Sequence, residues 1–193
     1  MANRNTTGFG LIAQGTLGST PATGGQGKYY IQANYATSLY QGTAVKQSGG
    51  YVITAQAAIT NTCIGVLNGV FYNAATTQKP TWSNYYSQVT PANSENITAF
   101  VIDNPHQLYV GMIDTAIPIA NMGKTFGFAS TTGSTTSGQS TNKMLLAGGS
   151  ATANTWRTVR IAEDPENQDI AVANCSVVFV QNLNQYNNGV TMA

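Results

Sequence analysis

The chain has 193 residues but only fifteen charged ones, eight Lys or Arg and seven Asp or Glu, and its net charge is +1. The charged fraction of 8% is far below the roughly 25% of ordinary soluble domains. Eight Lys and Arg residues are too few to predict a nucleic-acid partner. No stretch approaches the roughly eighteen consecutive apolar residues of a membrane helix, so no membrane partner is predicted. The 42% of hydrophobic residues suffices for a buried core, which excludes wholesale disorder.

The first 27 residues are rich in Gly and Thr, and Arg4 is the single charged residue among them. No apolar period of about 3.6 or 2 runs through them, so residues 1–27 are predicted to be an extended arm rather than a packed element. The segment lacks both the apolar core and the cleavage site of a secretory signal, so no such signal is expected.

Strand signals begin at residue 28, where short runs of β-forming residues alternate with turn residues. The predicted strands are 29–35, 43–47, 51–54, 63–72, 80–86, 97–103, 107–112, 126–129, 144–146, 156–162 and 176–183. Gly49 and Gly50 predict a hairpin between the second and third of these strands. Gly65 and Gly69 predict a bulge or a close backbone approach within the fourth. The Ser- and Thr-rich tract 130–140 is predicted to be an exposed loop.

The predicted strands are short and regularly spaced, and only residues 55–59 have much helix propensity. This pattern predicts an all-β fold, an antiparallel β-sandwich or barrel of jelly-roll type. Residues 28–193 are predicted to form a single β-rich domain behind the N-terminal arm. Cys63 and Cys175 fall at strand ends, where buried free thiols are the favoured interpretation, while a bridge between them stays open.

Aromatic residues cluster in the segment that contains the fifth predicted strand. Trp82, Tyr85 and Tyr86 are candidates for a sugar-binding platform or for an interface hot spot. Strand alternation places Trp82, Asn84 and Tyr86 on one face and Ser83 and Tyr85 on the other, so one of the two sets is expected in the core. Packing in the core or at a sheet edge is the favoured role for Trp82.

The chain has one histidine, His106, which excludes two-histidine metal sites and His–His proton relays. A Ser–His–Asp triad with Asp103 or Asp114 remains arithmetically open, but no Gly-x-Ser-x-Gly elbow is present and His106 follows a turn signal at 103–105. No catalytic residue is therefore predicted. The Gly–Lys steps at 27–28 and 123–124 lack the first glycine and the helix of a phosphate loop, so no cofactor is predicted.

Four of the seven acidic residues lie between Glu163 and Asp169. Their oxygens are candidate Ca²⁺ ligands, but the spacing and the glycine of an EF-hand are missing. The favoured interpretation is a solvated turn whose carboxylates offset Arg157 and Arg160 on the preceding strand, so no metal site is assigned.

Several short motifs along the chain resemble those of one family. They are Asn5-Thr6-Thr7-Gly8-Phe9-Gly10, Gly69-Val70-Phe71-Tyr72, Lys79-Pro80-Thr81-Trp82-Ser83-Asn84-Tyr85-Tyr86, Asp103-Asn104-Pro105, Trp156-Arg157 and Glu163-Asp164-Pro165-Glu166-Asn167. In these motifs the chain resembles the small decoration, or cement, proteins of the capsids of tailed bacteriophages from aquatic hosts. The resemblance implies a β-rich, non-enzymatic virion protein, often a trimer, that binds the outer face of the major capsid protein lattice and has no catalytic residues.

The residue composition is compatible with this role, because a charge-poor surface is suited to being covered by neighbours in an assembly. The residues expected at the partner interface are Arg4, Phe9, Leu11, Trp82, Tyr85 and Tyr86. The expected partners are the major capsid protein and further copies of this chain as a homotrimer. Deleting residues 1–27 is expected to abolish capsid binding and to leave the β-domain folded.

Three alternatives stay open at this point. One is a carbohydrate-binding or adhesin-like head-fibre or tail component that uses the aromatic residues around Trp82. Another is a tail-tube or shell subunit. The third is a hydrolase centred on His106.

Overall fold

The computed structural model describes residues 3–19, 25–55, 62–128, 132–150 and 154–186, with the backbone alone at 19 and 146–150. Within these residues the chain is all-β, as predicted, with twelve strands in two antiparallel sheets that do not close a barrel. This is the arrangement of a β-sandwich. Residues 56–59, where helix propensity is highest, and 130–131 of the Ser/Thr tract lie outside the described residues.

The strands follow one another along the whole described chain. They are β1 (Ile12–Thr16), β2 (Gly27–Ile31), β3 (Ala44–Ser48), β4 (Tyr51–Thr54), β5 (Gly65–Asn73), β6 (Pro80–Ser83), β7 (Ile97–Ile102), β8 (Gln107–Met112), β9 (Thr125–Phe128), β10 (Met144–Ser150), β11 (Trp156–Ile161) and β12 (Ser176–Gln181). Short 3₁₀ turns lie at Leu17–Ser19, Ala92–Ser94 and Ile119–Asn121. The first sheet has the order β1-β8-β12-β11-β9-β10, and the second has the order β2-β7-β5-β3-β4, with β6 paired to β5.

The glycine predictions are confirmed. Gly49 and Gly50 connect β3 to β4 with φ angles of 55° and 85°, a backbone region that favours glycine. Gly65 lies so close to the Ile102 carbonyl that a Cβ would collide with it. The pairing of β5 with β7 shifts register between Leu67 and Gly69, which is the predicted bulge.

The first sheet packs on part of the second through a shared core. Tyr109, Trp156 and Phe179 project from the first sheet and are fully buried, with Ala44 and Val66 opposite them on the second sheet. The rings of Tyr109 and Trp156 meet edge to face, with centroids 5.4 Å apart. These side chains supply the large inter-sheet burial that holds the two sheets together.

The opposite face of the second sheet holds a second core. Val45, Leu67 and Val101 are buried there beneath Leu39 and Tyr86, whose backbones bond to each other with N···O distances of 3.0 and 2.8 Å. The edge strands β2 and β4 also lie in contact, so the second sheet curls around this core. Part of the second sheet is therefore buried on both faces, and only the rest of the sheet exposes side chains to solvent.

The N-terminal segment differs from the prediction of an unpacked arm. Residues 12–16 form β1, which pairs with β8 at the edge of the first sheet, and Leu11 belongs to the inter-sheet core. Gly10 and Gly15 interrupt any apolar period in the sequence, so the strand is specified by its pairing partner rather than by its own pattern.

The two cysteines are free and buried, in the state favoured from the sequence. Burial raises the pKa of the Cys63 thiol well above its ordinary value, and it raises the pKa of Cys175 to about 11. Both thiols are therefore held protonated, and the Cys63 Sγ accepts a hydrogen bond from Gln181 Nε2 at 3.0 Å.

Candidate interaction surface and adjacent cleft

An exposed row of side chains crosses the second sheet. Tyr30 on β2 pairs with Thr98 on β7, Thr98 pairs with Phe71 on β5, and Phe71 pairs with Trp82 on β6. Directly paired residues share a face of a sheet, so these four residues form one line, which we call the aromatic row. Tyr30, Phe71 and Trp82 are 57%, 41% and 53% exposed. The row lies on the face of the second sheet that packs against the first sheet, in a part that the first sheet does not cover.

Trp82 is held in place by a glycine and a phenylalanine. A Cβ atom at Gly69 would lie 2.5 Å from the Trp82 ring, so only glycine leaves room for the ring to lie against β5. The centroids of the Trp82 and Phe100 rings are 5.1 Å apart. One side of the indole is therefore packed and the other faces solvent, which agrees with the edge packing favoured for Trp82 from the sequence.

The predicted face-sharing of Trp82 with Tyr86 does not occur. Strand β6 ends at Ser83 and the chain bends at 84–85, so alternation stops before Tyr86 is reached. Tyr86 is fully buried in the second core, and its hydroxyl donates to the Tyr35 carbonyl at 2.7 Å. Tyr85 is half-buried and stacks on Tyr40, with ring centroids 5.6 Å apart. Of the three predicted aromatics, Trp82 is the one that presents a large open surface.

Residues 3–11, which we call the strap, dock on the same chain. The Asn3 side chain is buried, donates to the carbonyls of Asp169 and Ala173 at 3.0 and 2.8 Å, and accepts the Asp169 N–H at 3.1 Å. Gly8 passes so close to the Thr141 carbonyl that no side chain fits there. Leu11 enters the core, so among the expected interface residues of the strap, Arg4 is exposed, Phe9 is half-buried and Leu11 is not accessible.

The acidic loop 163–169 contacts the first residues of the strap. Arg4 pairs with Glu166 at 3.2 Å, and both side chains are exposed. The loop was expected to offset Arg157 and Arg160, but Arg157 instead donates to the Asn182 side chain and to the Gly123 carbonyl. A hydrogen bond from the Ala171 N–H lowers the pKa of Asp169. Within the described ranges, no three His, Cys, Asp or Glu residues are placed to hold a metal ion.

The hydrolase alternative rests on His106, which lies at an exposed turn. The backbone N–H of His106 donates to the Asn104 side chain at 2.9 Å, and its carbonyl accepts the Leu17 N–H at 2.8 Å. Asp103, one candidate acid of the triad, accepts a hydrogen bond from the Tyr29 hydroxyl at 2.7 Å. Burial and, to a smaller extent, this contact raise the pKa of Tyr29 above its ordinary value. Asp103 therefore serves the packing of β2 against β7.

A cleft of about 290 Å³ opens beside the aromatic row. One wall is formed by Phe9 and residues 11–13, and the other by residues 66–68 and Ile102. Three half-buried amide side chains also line it: Gln41, Asn68 and Gln139. These amides, and Tyr30 and Phe71, were not predicted as site residues from the sequence. They are far apart along the chain, and no local spacing identifies them.

In the part of the chain that the structure describes, no helix has the length and apolar character needed to cross a bilayer. No protein-family model, curated protein or solved structure matches this chain.

Proposed function

We propose that this chain is a non-enzymatic virion structural protein that binds the outer surface of a bacteriophage capsid and stabilises it, as a decoration or cement protein does. The observation that carries the proposal is the aromatic row, three large exposed aromatic side chains in line on a rigid sheet. Aromatic residues on a surface depleted of charge are characteristic of the centre of a protein interface. The motif resemblance supports the capsid as the partner.

The aromatic row is suited to clamping a protein shell. Burying an aromatic side chain of this size contributes on the order of 1.5–3 kcal/mol, and roughly half of each side chain is still available for burial. The main-chain pairing of four adjacent strands keeps the row rigid, so little conformational entropy is lost on binding. Because each copy binds assembled shell and not dissociated subunits, every bound copy shifts the equilibrium towards the closed capsid.

The main contact with the capsid is thus expected on the second sheet and not on the strap. Several of the strap's polar groups are already bonded within the chain, and Leu11 is inaccessible. Trp82 remains from the predicted interface set, and Phe71 and Tyr30 join it. Arg4 is exposed on the strap and Phe9 is half-buried in one wall of the cleft, and both can serve as peripheral contacts.

The experiment is co-sedimentation with empty capsids assembled from the major capsid protein of the phage that encodes this chain. A Phe71→Ser, Trp82→Ser double variant is compared with Ile119→Ser, which changes a side chain that is 64% exposed in a connecting turn. We expect the double variant to bind at least about tenfold more weakly, and Ile119→Ser to bind like the unmodified protein. Circular dichroism checks that both variants are folded.

Absence of binding by the unmodified protein would refute the proposal, and undiminished occupancy by the double variant would refute the role of the aromatic row. Sedimentation velocity of the free protein tests the proposed homotrimer. A monomer that does not associate at any accessible concentration contradicts self-association in solution.

A further inference from the structure

None of the eleven residues that line the cleft beside the aromatic row is charged. Its polar groups are the side-chain amides of Gln41, Asn68 and Gln139, and its remaining side chains are apolar. Its volume is near the lower end of the roughly 300–1,000 Å³ typical of small-ligand pockets. A charged ligand would find no counter-charge here, and a fully apolar one would leave the amides without partners.

The three amides retain hydrogen-bonding capacity towards the cleft. Gln41 Nε2 donates to Asn68 Oδ1 at 3.0 Å, and Gln139 Nε2 donates to the Phe9 carbonyl at 3.5 Å. The first contact orients Gln41 and Asn68, whereas the second is at the limit of hydrogen-bond distance. Both contacts leave the Asn68 Nδ2 group as a donor and the oxygens of Gln41 and Gln139 as acceptors. The cleft therefore presents donors and acceptors together.

An aromatic platform adjoins these amides. The Trp82 ring lies over Gly69, the residue that follows Asn68. Trp82 also packs on Phe100, which is two positions before Ile102 in β7 and shares a face with it. Ile102 lines the cleft, so the Trp82 ring lies on the same face of the second sheet as this part of the cleft wall.

We propose that this cleft, together with the Trp82 ring, binds a neutral saccharide. A sugar ring carries hydroxyl groups that both donate and accept, which matches side-chain amides, and it has a face of C–H groups that stacks on an aromatic ring. The proposal goes beyond capsid binding, because it assigns a small-ligand site to three amide side chains that lie outside the aromatic row, with Trp82 shared between the two sites. The ligand chemistry is that of uncharged cell-surface or medium glycans.

The test is a titration of the ¹⁵N-labelled full chain, observed by NMR, with a panel of neutral sugars: glucose, galactose, mannose, N-acetylglucosamine and their disaccharides. We expect at least one sugar to shift the side-chain amide signals of Asn68 and Gln139 and the indole N–H signal of Trp82. Asn68→Ala is expected to weaken that binding about tenfold. The matched control is Gln32→Ala, which removes an exposed amide outside the cleft and should bind normally.

Two results would overturn the proposal. One is the absence of chemical-shift changes with every sugar of the panel at millimolar concentrations. The other is equal affinity for the sugar in Asn68→Ala and Gln32→Ala. Because Asn68→Ala leaves the aromatic row unchanged, its capsid occupancy should be normal, and failure of this proposal is distinguishable from failure of capsid binding.

Discussion

At the scale of single residues, two different kinds of polar contact hold the strap. Asn167 is 1% exposed, its Nδ2 donates to the carbonyls of Asn5 and Asn174 at 2.7 Å each, and its Oδ1 accepts the Asn5 N–H at 3.0 Å. Arg4 pairs with Glu166 in the open, with the two side chains 78% and 61% exposed. Solvent screens an exposed ion pair, whereas a buried amide that loses its partners leaves them unsatisfied.

We therefore predict that Asn167→Ala lowers the free energy of unfolding by about 2–3 kcal/mol, because several backbone groups of the strap and loop lose their partner. Arg4→Ala, the control in the same segment, should change it by less than about 0.5 kcal/mol. Urea denaturation of the two variants measures the difference. Equal losses would mean that the strap is held by charge and not by the buried amide.

At the scale of the element, residues 3–16 of the N-terminal segment are part of the fold. Leu11 lies between Gly111 of β8 and the inter-sheet core, and β1 covers one edge of the first sheet. Removing residues 1–27 would leave a void at Leu11 and expose the unpaired backbone of β8. In contrast to the expectation from the sequence, we therefore predict that this deletion destabilises the domain, so loss of capsid binding by such a deletion would not identify an interface.

Two leucines of this segment supply a matched pair for testing this point. Leu11 is 3% exposed and Leu17 is 47% exposed. We expect Leu11→Ala to lower the free energy of unfolding by about 2–4 kcal/mol through lost burial and a cavity, and Leu17→Ala to lower it by less than about 1 kcal/mol. Chemical denaturation of both variants measures this. Similar small effects would show that the segment is a detachable arm.

At the scale of the whole molecule, one cysteine and three tyrosines that are buried or half-buried ionise less readily than the same groups in water. Burial is the largest cause of the raised pKa values of Cys63, Tyr29, Tyr86 and Tyr109. The ordinary values are 9.0 for Cys and 10.0 for Tyr. In alkaline solution the unfolded chain releases these protons while the folded chain retains them, so the unfolded state binds fewer protons.

The free energy of unfolding is consequently predicted to be undiminished by these groups below about pH 9 and to fall as the pH rises further. Each of the fully buried groups, Cys63 and Tyr109, contributes a slope of about 1.4 kcal/mol per pH unit once its unfolded form ionises. Urea midpoints at about pH 7, 9 and 10.5 test this. The decline between about pH 9 and 10 should be shallower in Cys63→Ala, and unchanged stability across the whole range would contradict the prediction.

Much of the fold could be predicted from local sequence because the determining signals are local. Runs of β-forming residues between turn residues located every strand from β2 to β12, and Gly49 and Gly50 fixed a hairpin because their left-handed φ angles favour glycine. The Ser/Thr tract was predicted less well. It is exposed at Thr135 to Ser137 but buried at Ser140, where it pairs with Gln41.

The candidate sites depended on contacts between distant parts of the chain. Whether Trp82 is exposed or Tyr86 is buried is decided by where β6 ends and by which sheet face the first sheet covers. Gln41, Asn68 and Gln139 meet in the cleft from three separate segments.

The sequence by itself determined an all-β chain with little charge, because strand propensity and composition are properties of residues and their immediate neighbours. Only the tertiary structure decided that the N-terminal segment belongs to the domain, that the aromatic row is open to a partner and that three amides share a cleft. Exposure and proximity are set by the packing of sheets and loops far apart in the chain, and no local pattern encodes them.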